Sequence, residues 1–89
     1  MATKFNLSIL WLENKLGIAV NQIQSGEQIP LTNYFFWPQN DAWDQIRNEL
    51  DTKPWITNAN KAELLNATAT IMNQWQDSIN NESMNQIIN

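Results

Sequence analysis

Carboxylates, a few lysines and a single tyrosine are the only side chains left to do chemistry in this 89-residue chain, which has neither cysteine nor histidine. Their absence removes disulfides, thiolate and imidazole metal sites, Ser-His and Cys-His nucleophile pairs, and imidazole acid–base catalysis. Two carboxylate pairs stand close in sequence, Asp41 with Asp44 and Glu49 with Asp51. A working acid–base pair needs surroundings that push its two pKa values apart, usually inside a cleft. Asp41 and Asp44 fall instead in the opening turn of an expected helix, where negative charge is stabilising without any chemistry. Glu49 and Asp51 flank the end of that helix and are expected to face water. No phosphate loop, nucleophile elbow or metal-ligand spacing accompanies them. The chain is therefore expected to be no enzyme, with no metal site, no cofactor and no small-molecule substrate.

Binding chemistry is better represented. Nine acidic residues against five basic ones give a net charge of −4, which argues against a surface that follows a phosphate backbone throughout. The cations are Lys4, Lys15, Arg47, Lys53 and Lys61. Lys15 falls at an expected hairpin tip, and Lys53 and Lys61 flank Trp55, so a local patch joining phosphate contact to base stacking is conceivable. From composition alone, solvated surface lysines are the simpler account. Of nine aromatic residues, five lie in YFFWPQNDAW, residues 34–43. A chain this short buries only about 60–65% of its unfolded surface, so most of its large rings are expected to be core. Four of them are consecutive, Tyr34 to Trp37, and an extended backbone sends alternate side chains to opposite faces. One pair then fills the core, while the other covers the second face of the hairpin or meets a partner.

The elements that position these residues follow from periodicity. Phe5, Leu7, Ile9 and Trp11 recur with period two, with Asn6 and Ser8 between them, which predicts a half-buried strand over 5–12. Leu10 and Leu12 make its far end apolar on the other face too, so that end is expected to be covered on both sides. Residues 13–15 form a polar turn into a second strand over 16–23. Gly17, inside it, reads as a glycine beside a turn rather than as a bulge or a close backbone approach. Residues 24–33 hold a glycine, a proline and no period, which predicts a loop. Pro38 excludes helix at Trp37. Asn40 or Asp41 caps a short helix with Trp43, Ile46 and Leu50 on one face, ending near Asp51 because Pro54 disfavours helical backbone at Lys53. Asn60 with Glu63 resembles a capping box, and Leu64, Thr68, Ile71, Met72, Trp75 and Ile79 share one face of a helix over about 61–79. The expected fold class is α+β, an N-terminal β-hairpin packed on a short and a long α-helix, because two strands alone are marginal in water. Residues 1–79 are expected to form a single small domain and 80–89 a flexible Asn-rich tail. No stretch approaches the ~20 apolar residues that span a bilayer, and residues near the N-terminus lack the apolar block of a signal peptide, so no membrane partner is expected.

Four segments, LWLENKLGIAVNQ, PLTNYFFWPQNDAW, KPWI and LLNATATIMNQWQ, in this order and spacing, closely resemble the plastid-specific ribosomal protein 3 family of the small ribosomal subunit in chloroplasts and cyanobacteria. The resemblance spans about residues 5–76. It implies a structural constituent of the small subunit that acts in translation by docking on ribosomal RNA, on neighbouring ribosomal proteins of the small subunit, or on both. It also implies a ribosome-associated protein of the cyanobacterial cytoplasm or plastid stroma, monomeric off the ribosome. Contact candidates are then Lys15, Tyr34, Trp37, Lys53, Trp55 and Lys61. In the family the two residues after the Trp-Pro pair are commonly basic, as Arg-Lys; here they are Gln39 and Asn40. Two phosphate-seeking charges are thereby missing from this loop. The alternative is a free-standing acidic protein-interaction module that uses an aromatic groove on a peptide or helix.

Overall fold

In the computed structural model, which describes residues 4–88, with side chains through Asn80, the element order is β1 (Lys4–Trp11), β2 (Leu16–Gln24), β3 (Glu27–Pro30), β4 (Phe35–Trp37), α1 (Ala42–Asp51) and α2 (Asn58–Ile88). The α+β class and the hairpin on two helices hold. β1 and β2 pair antiparallel without a break from Lys4↔Ile23 to Trp11↔Leu16. The turn closes with the Leu12 amide donating to the Lys15 carbonyl at 3.1 Å.

The sheet is larger than a hairpin, and this corrects the loop expected over residues 24–33. Ser25 and Gly26 both have positive φ, 51° and 79°, the backbone of a two-residue type I′ turn. That turn folds β3 back on β2 from Gln24↔Glu27 to Asn21↔Pro30. Ser-Gly is a recognisable turn signal, but β3 is exposed at every position and so leaves no apolar period to find. β4 then pairs with the other half of the same β2 edge, from Ile18↔Phe35 to Leu16↔Trp37. Between the two pairings the register slips by two residues. The slip is held at Val20, whose carbonyl accepts from the Leu31 and Thr32 amides at 2.9 and 3.3 Å. The Val20 amide in turn donates to Thr32 Oγ1 at 3.0 Å.

Directly paired strand residues point to the same face, so the register sorts the sheet. Leu16, Ile18 and Val20 of β2, all fully buried, point toward the helices and meet Ile46 and Leu50 of α1, Ile56, and Leu64 and Trp75 of α2. Phe5, Leu7, Ile9, Phe35 and Trp37 pack around them from the flanking strands. Such a core is the main stabilising term for a chain of this size, at ~1.5–3 kcal/mol for each fully buried aliphatic side chain.

Helix α1 starts where capping chemistry places it. Asp41 accepts from the Asp44 amide at 3.2 Å, and the helix ends at Asp51. Its buried stripe is Ala42, Ile46 and Leu50, whereas Trp43 lies to one side and is half-buried. Helix α2 begins three residues before the expected Lys61. Thr57, not Asn60, caps it: Thr57 Oγ1 accepts from the Asn60 amide at 3.1 Å, and the Thr57 carbonyl accepts from Lys61 at 2.9 Å. The helix backbone runs on to Ile88, past the expected end at Ile79. Most side chains of the tail expected over 80–89 lie outside the described residues.

Candidate nucleic-acid interface

Both helices pack on one face of the sheet, and no helix residue is described against the other. On that open face the four consecutive aromatics divide by strand geometry. Phe35 and Trp37 turn to the core; Tyr34 and Phe36 lie across the second face of the hairpin. Gly17 makes room for them. A Cβ at Gly17 would stand 2.9 Å from Phe36 Cε1, 3.1 Å from Leu10 Cβ and 3.3 Å from Tyr34 Cδ1. The glycine is thus a seat for side-chain rings rather than a residue that only adjoins a turn. Tyr34 and Phe36 stack on each other with centroids 6.4 Å apart and planes at 30°. Lys15 reaches over Phe36, its Nζ 4.8 Å from the ring centroid, an arrangement in which the ring's negative face attracts the ammonium.

The expected double cover of the far end of β1 is not found. Leu10 and Leu12 are 38% and 39% exposed, and Tyr34 is 39% exposed, so this end of the open face is an apolar platform in contact with solvent. Further along, the platform gives way to side-chain amides. Asn21 is 96% buried among its neighbours, being 4% exposed. Its Nδ2 donates to Asn6 Oδ1 at 3.1 Å and to Ser8 Oγ at 2.6 Å, which satisfies a buried polar group that would otherwise destabilise the sheet. Asn6 Nδ2 extends the network to Gln28 Oε1 at 3.2 Å.

Charge follows the same division. Arg47 pairs with Asp44 at 2.7 Å, Lys53 with Glu49 at 3.2 Å and Lys61 with Asp51 at 3.6 Å. Among the described residues, Lys4 and Lys15 are the cations without a carboxylate partner. Lys4 shares the open face through its pairing with Ile23, and no strand residue on that face is acidic. The eight-residue separation of Ile23 and Lys15 along β2 sets the two lysines ~26 Å apart at a strand rise of ~3.3 Å. They can meet two separate phosphates and cannot share one.

The structure therefore brings together two of the six contact candidates, Lys15 and Tyr34. Trp37 lies on the helix side opposite Leu16, half-buried, and its Nε1 is buried without a partner among the described residues. Lys53 and Lys61 hold their ion pairs beside α1. Trp55 is 54% exposed but is tied back to the sheet, its Nε1 donating to Gln22 Oε1 at 2.9 Å. An aromatic groove of about 350 Å³ does exist on the helix side, between Trp37, Trp43 and α2 residues Ala69, Met72, Asn73 and Gln76. Gln39 and Asn40 are exposed in the turn after β4 and add no cation. Sequence reasoning missed Lys4, Leu10 and Phe36. Even-numbered spacing from Lys4 through Asn6 and Ser8 to Leu10 was the available signal, since it puts all four on one face of β1.

Residues 31–78 match a family described as "Plastid and cyanobacterial ribosomal protein (PSRP-3 / Ycf65)". Similar relatives include the small ribosomal subunit protein cS23 of Gracilaria tenuistipitata var. liui, 48% identical over 82 residues, which cover 92% of this chain and 83% of the relative. The probable small ribosomal subunit protein cS23 of Synechococcus sp. (strain JA-2-3B'a(2-13)) is 46% identical over 83 residues, 93% of this chain and 84% of the relative. The small ribosomal subunit protein cS23 of Mesostigma viride is 40% identical over 83 residues, covering 93% and 68%.

Proposed function

The chain belongs to the plastid and cyanobacterial ribosomal protein family (PSRP-3 / Ycf65), and from that premise we propose that it seats on small-subunit ribosomal RNA through the open face of its sheet. It is a structural constituent of the small ribosomal subunit in translation, not an enzyme. The observation that carries the seating is an open face with Lys15 over the Tyr34–Phe36 platform at one end and Lys4 at the other, neither with a carboxylate partner among the described residues, and with no acidic strand residue between them. Lys4 and Lys15 suit phosphates, and Tyr34 offers its face to an unstacked base. Asn6 and Gln28 supply donors and acceptors to sugar hydroxyls between them. The carboxylates on the helix side keep that side away from phosphate and favour basic ribosomal proteins as neighbours. The protein works in the cyanobacterial cytoplasm or plastid stroma, bound to ribosomes, and is monomeric when released.

Rebinding of the purified protein to salt-stripped small subunits across a salt series tests this. Two phosphate contacts give a slope of about −1.5 to −2 in log K against log salt. A slope several times steeper, or failure to sediment with small subunits after a moderate-salt wash, would refute the seating.

A further inference from the structure

The two edges of the sheet are treated differently. The β3–β4 edge is made of strands of four and three residues, carries Pro30, slips register by two residues, and is followed by Pro38. Short strands, prolines and register breaks are how folds discourage pairing with another chain. β1 has none of these devices. It is eight residues long, unbroken in register and free of proline, with Lys4 at its beginning and Trp11 49% exposed at its end.

Hydrogen-bond alternation shows what this edge offers. The Leu12–Lys15 bond and the turn of Val20 toward Thr32 put the even-numbered residues of β1 in the ladder with β2. Phe5, Leu7, Ile9 and Trp11 therefore aim their amides and carbonyls outward, and none has a partner among the described residues. Beside them a groove of about 590 Å³ runs between β1 and α2, its apolar lining Phe5, Leu7, Leu64, Ala67 and Ile71 and its charged lining Lys4 and Glu63.

We propose that β1 accepts an extended strand from a neighbouring protein of the small subunit, adding a strand to the sheet and sending alternate apolar side chains into this groove. Four outward N–H and C=O pairs at a spacing of ~6.6 Å match another β-strand and little else. A phosphate backbone supplies acceptors for the amides but no regular row of donors for the carbonyls. A second copy of this chain would bring a further net charge of −4 to the same edge. The guest is instead a basic segment, which the chain's net charge of −4 favours; at the groove itself Lys4 and Glu63 offset each other. This inference rests on small-subunit membership, which supplies the neighbour.

Hydrogen exchange, trapped and read residue by residue, tests it in three states: the free protein, the protein on protein-free small-subunit RNA, and the protein on intact small subunits. The amides of Phe5, Leu7, Ile9 and Trp11 are expected to exchange quickly in the first two states and to slow at least ~10-fold on intact subunits, as newly paired edge amides do. Protection on RNA alone would show a nucleic-acid cover and overturn the proposal. Protection that grows with concentration of the free protein would show self-pairing and overturn it equally. If the protein sediments with subunits while these amides stay fast, the strand proposal alone falls. If it does not join subunits at all, the ribosomal seating falls with it.

Discussion

Lys15 holds its Nζ 4.8 Å above the ring centroid of Phe36, at the end of the sheet farthest from Lys4. The contact keeps a cation that has no carboxylate partner among the described residues over an apolar platform on the face without helices, so an acidic protein presents a locally basic, aromatic surface. Net charge alone hides this arrangement. Three of the five cations are spent within the fold on Asp44, Glu49 and Asp51, and the remaining two share one face.

Lys15→Ala and Lys4→Ala are expected to leave stability within about 0.5 kcal/mol, as surface substitutions usually do. Each should reduce the salt slope of small-subunit binding by about 1. Arg47→Ala serves as the control, removing a cation that is already paired, and should leave the slope unchanged. An equal effect from all three variants would show that total charge matters and the open face does not.

Gly17→Val should destabilise the fold by about 1–3 kcal/mol, because the added carbons enter space held by Phe36, Leu10 and Tyr34. Combining it with Phe36→Ala should recover part of that loss. Denaturant melts of the four proteins in this cycle measure the coupling between the two sites. Simple additivity would mean that the ring does not occupy the glycine's seat.

Thr32→Val keeps shape but removes the oxygen that accepts from the Val20 amide. An amide left without a partner within the sheet costs about 1–3 kcal/mol. The expected readouts are a lower denaturation midpoint and faster hydrogen exchange at Val20. Thr32→Ser, which retains the acceptor, should recover most of the loss.

Trp75→Phe should cost about 1–2 kcal/mol for its lost hydrogen bond and trimmed ring, and Trp75→Ala about 3–5 kcal/mol. Trp75 is 3% exposed, and its Nε1 donates to the Leu12 carbonyl at 2.8 Å, tying the hairpin tip to the long helix. Thermal melts of the two variants give the comparison. Equal losses would leave no separate role for the buried ring.

The strand periods, the Asp41 cap and the apolar stripe of α2 were legible in the chain because each is a local relation between neighbours a few residues apart. Leu64, Thr68, Trp75 and Ile79 recur at helical spacing wherever the helix packs. Thr68 is legible even as a polar core residue, since its hydroxyl returns to the Leu64 carbonyl at 2.8 Å within the same helix. β3 was not legible, because an edge strand exposed at all four positions carries no apolar pattern. β4 was hidden for the opposite reason: four consecutive rings have no alternation to read.

By itself, the sequence determined an α+β chain without catalytic chemistry, the hairpin, the short helix and the packed stripe of the long one though not its ends, and the odd-even division of the aromatic run. Tertiary structure decided which half of that run faces out, because this depends on which side of the sheet the helices cover. It also decided which lysines remain available. Arg47 on Asp44 and Lys53 on Glu49 follow helical i,i+3 and i,i+4 spacing, but no spacing along the chain distinguishes Lys61 on Asp51 from Lys15 above a ring.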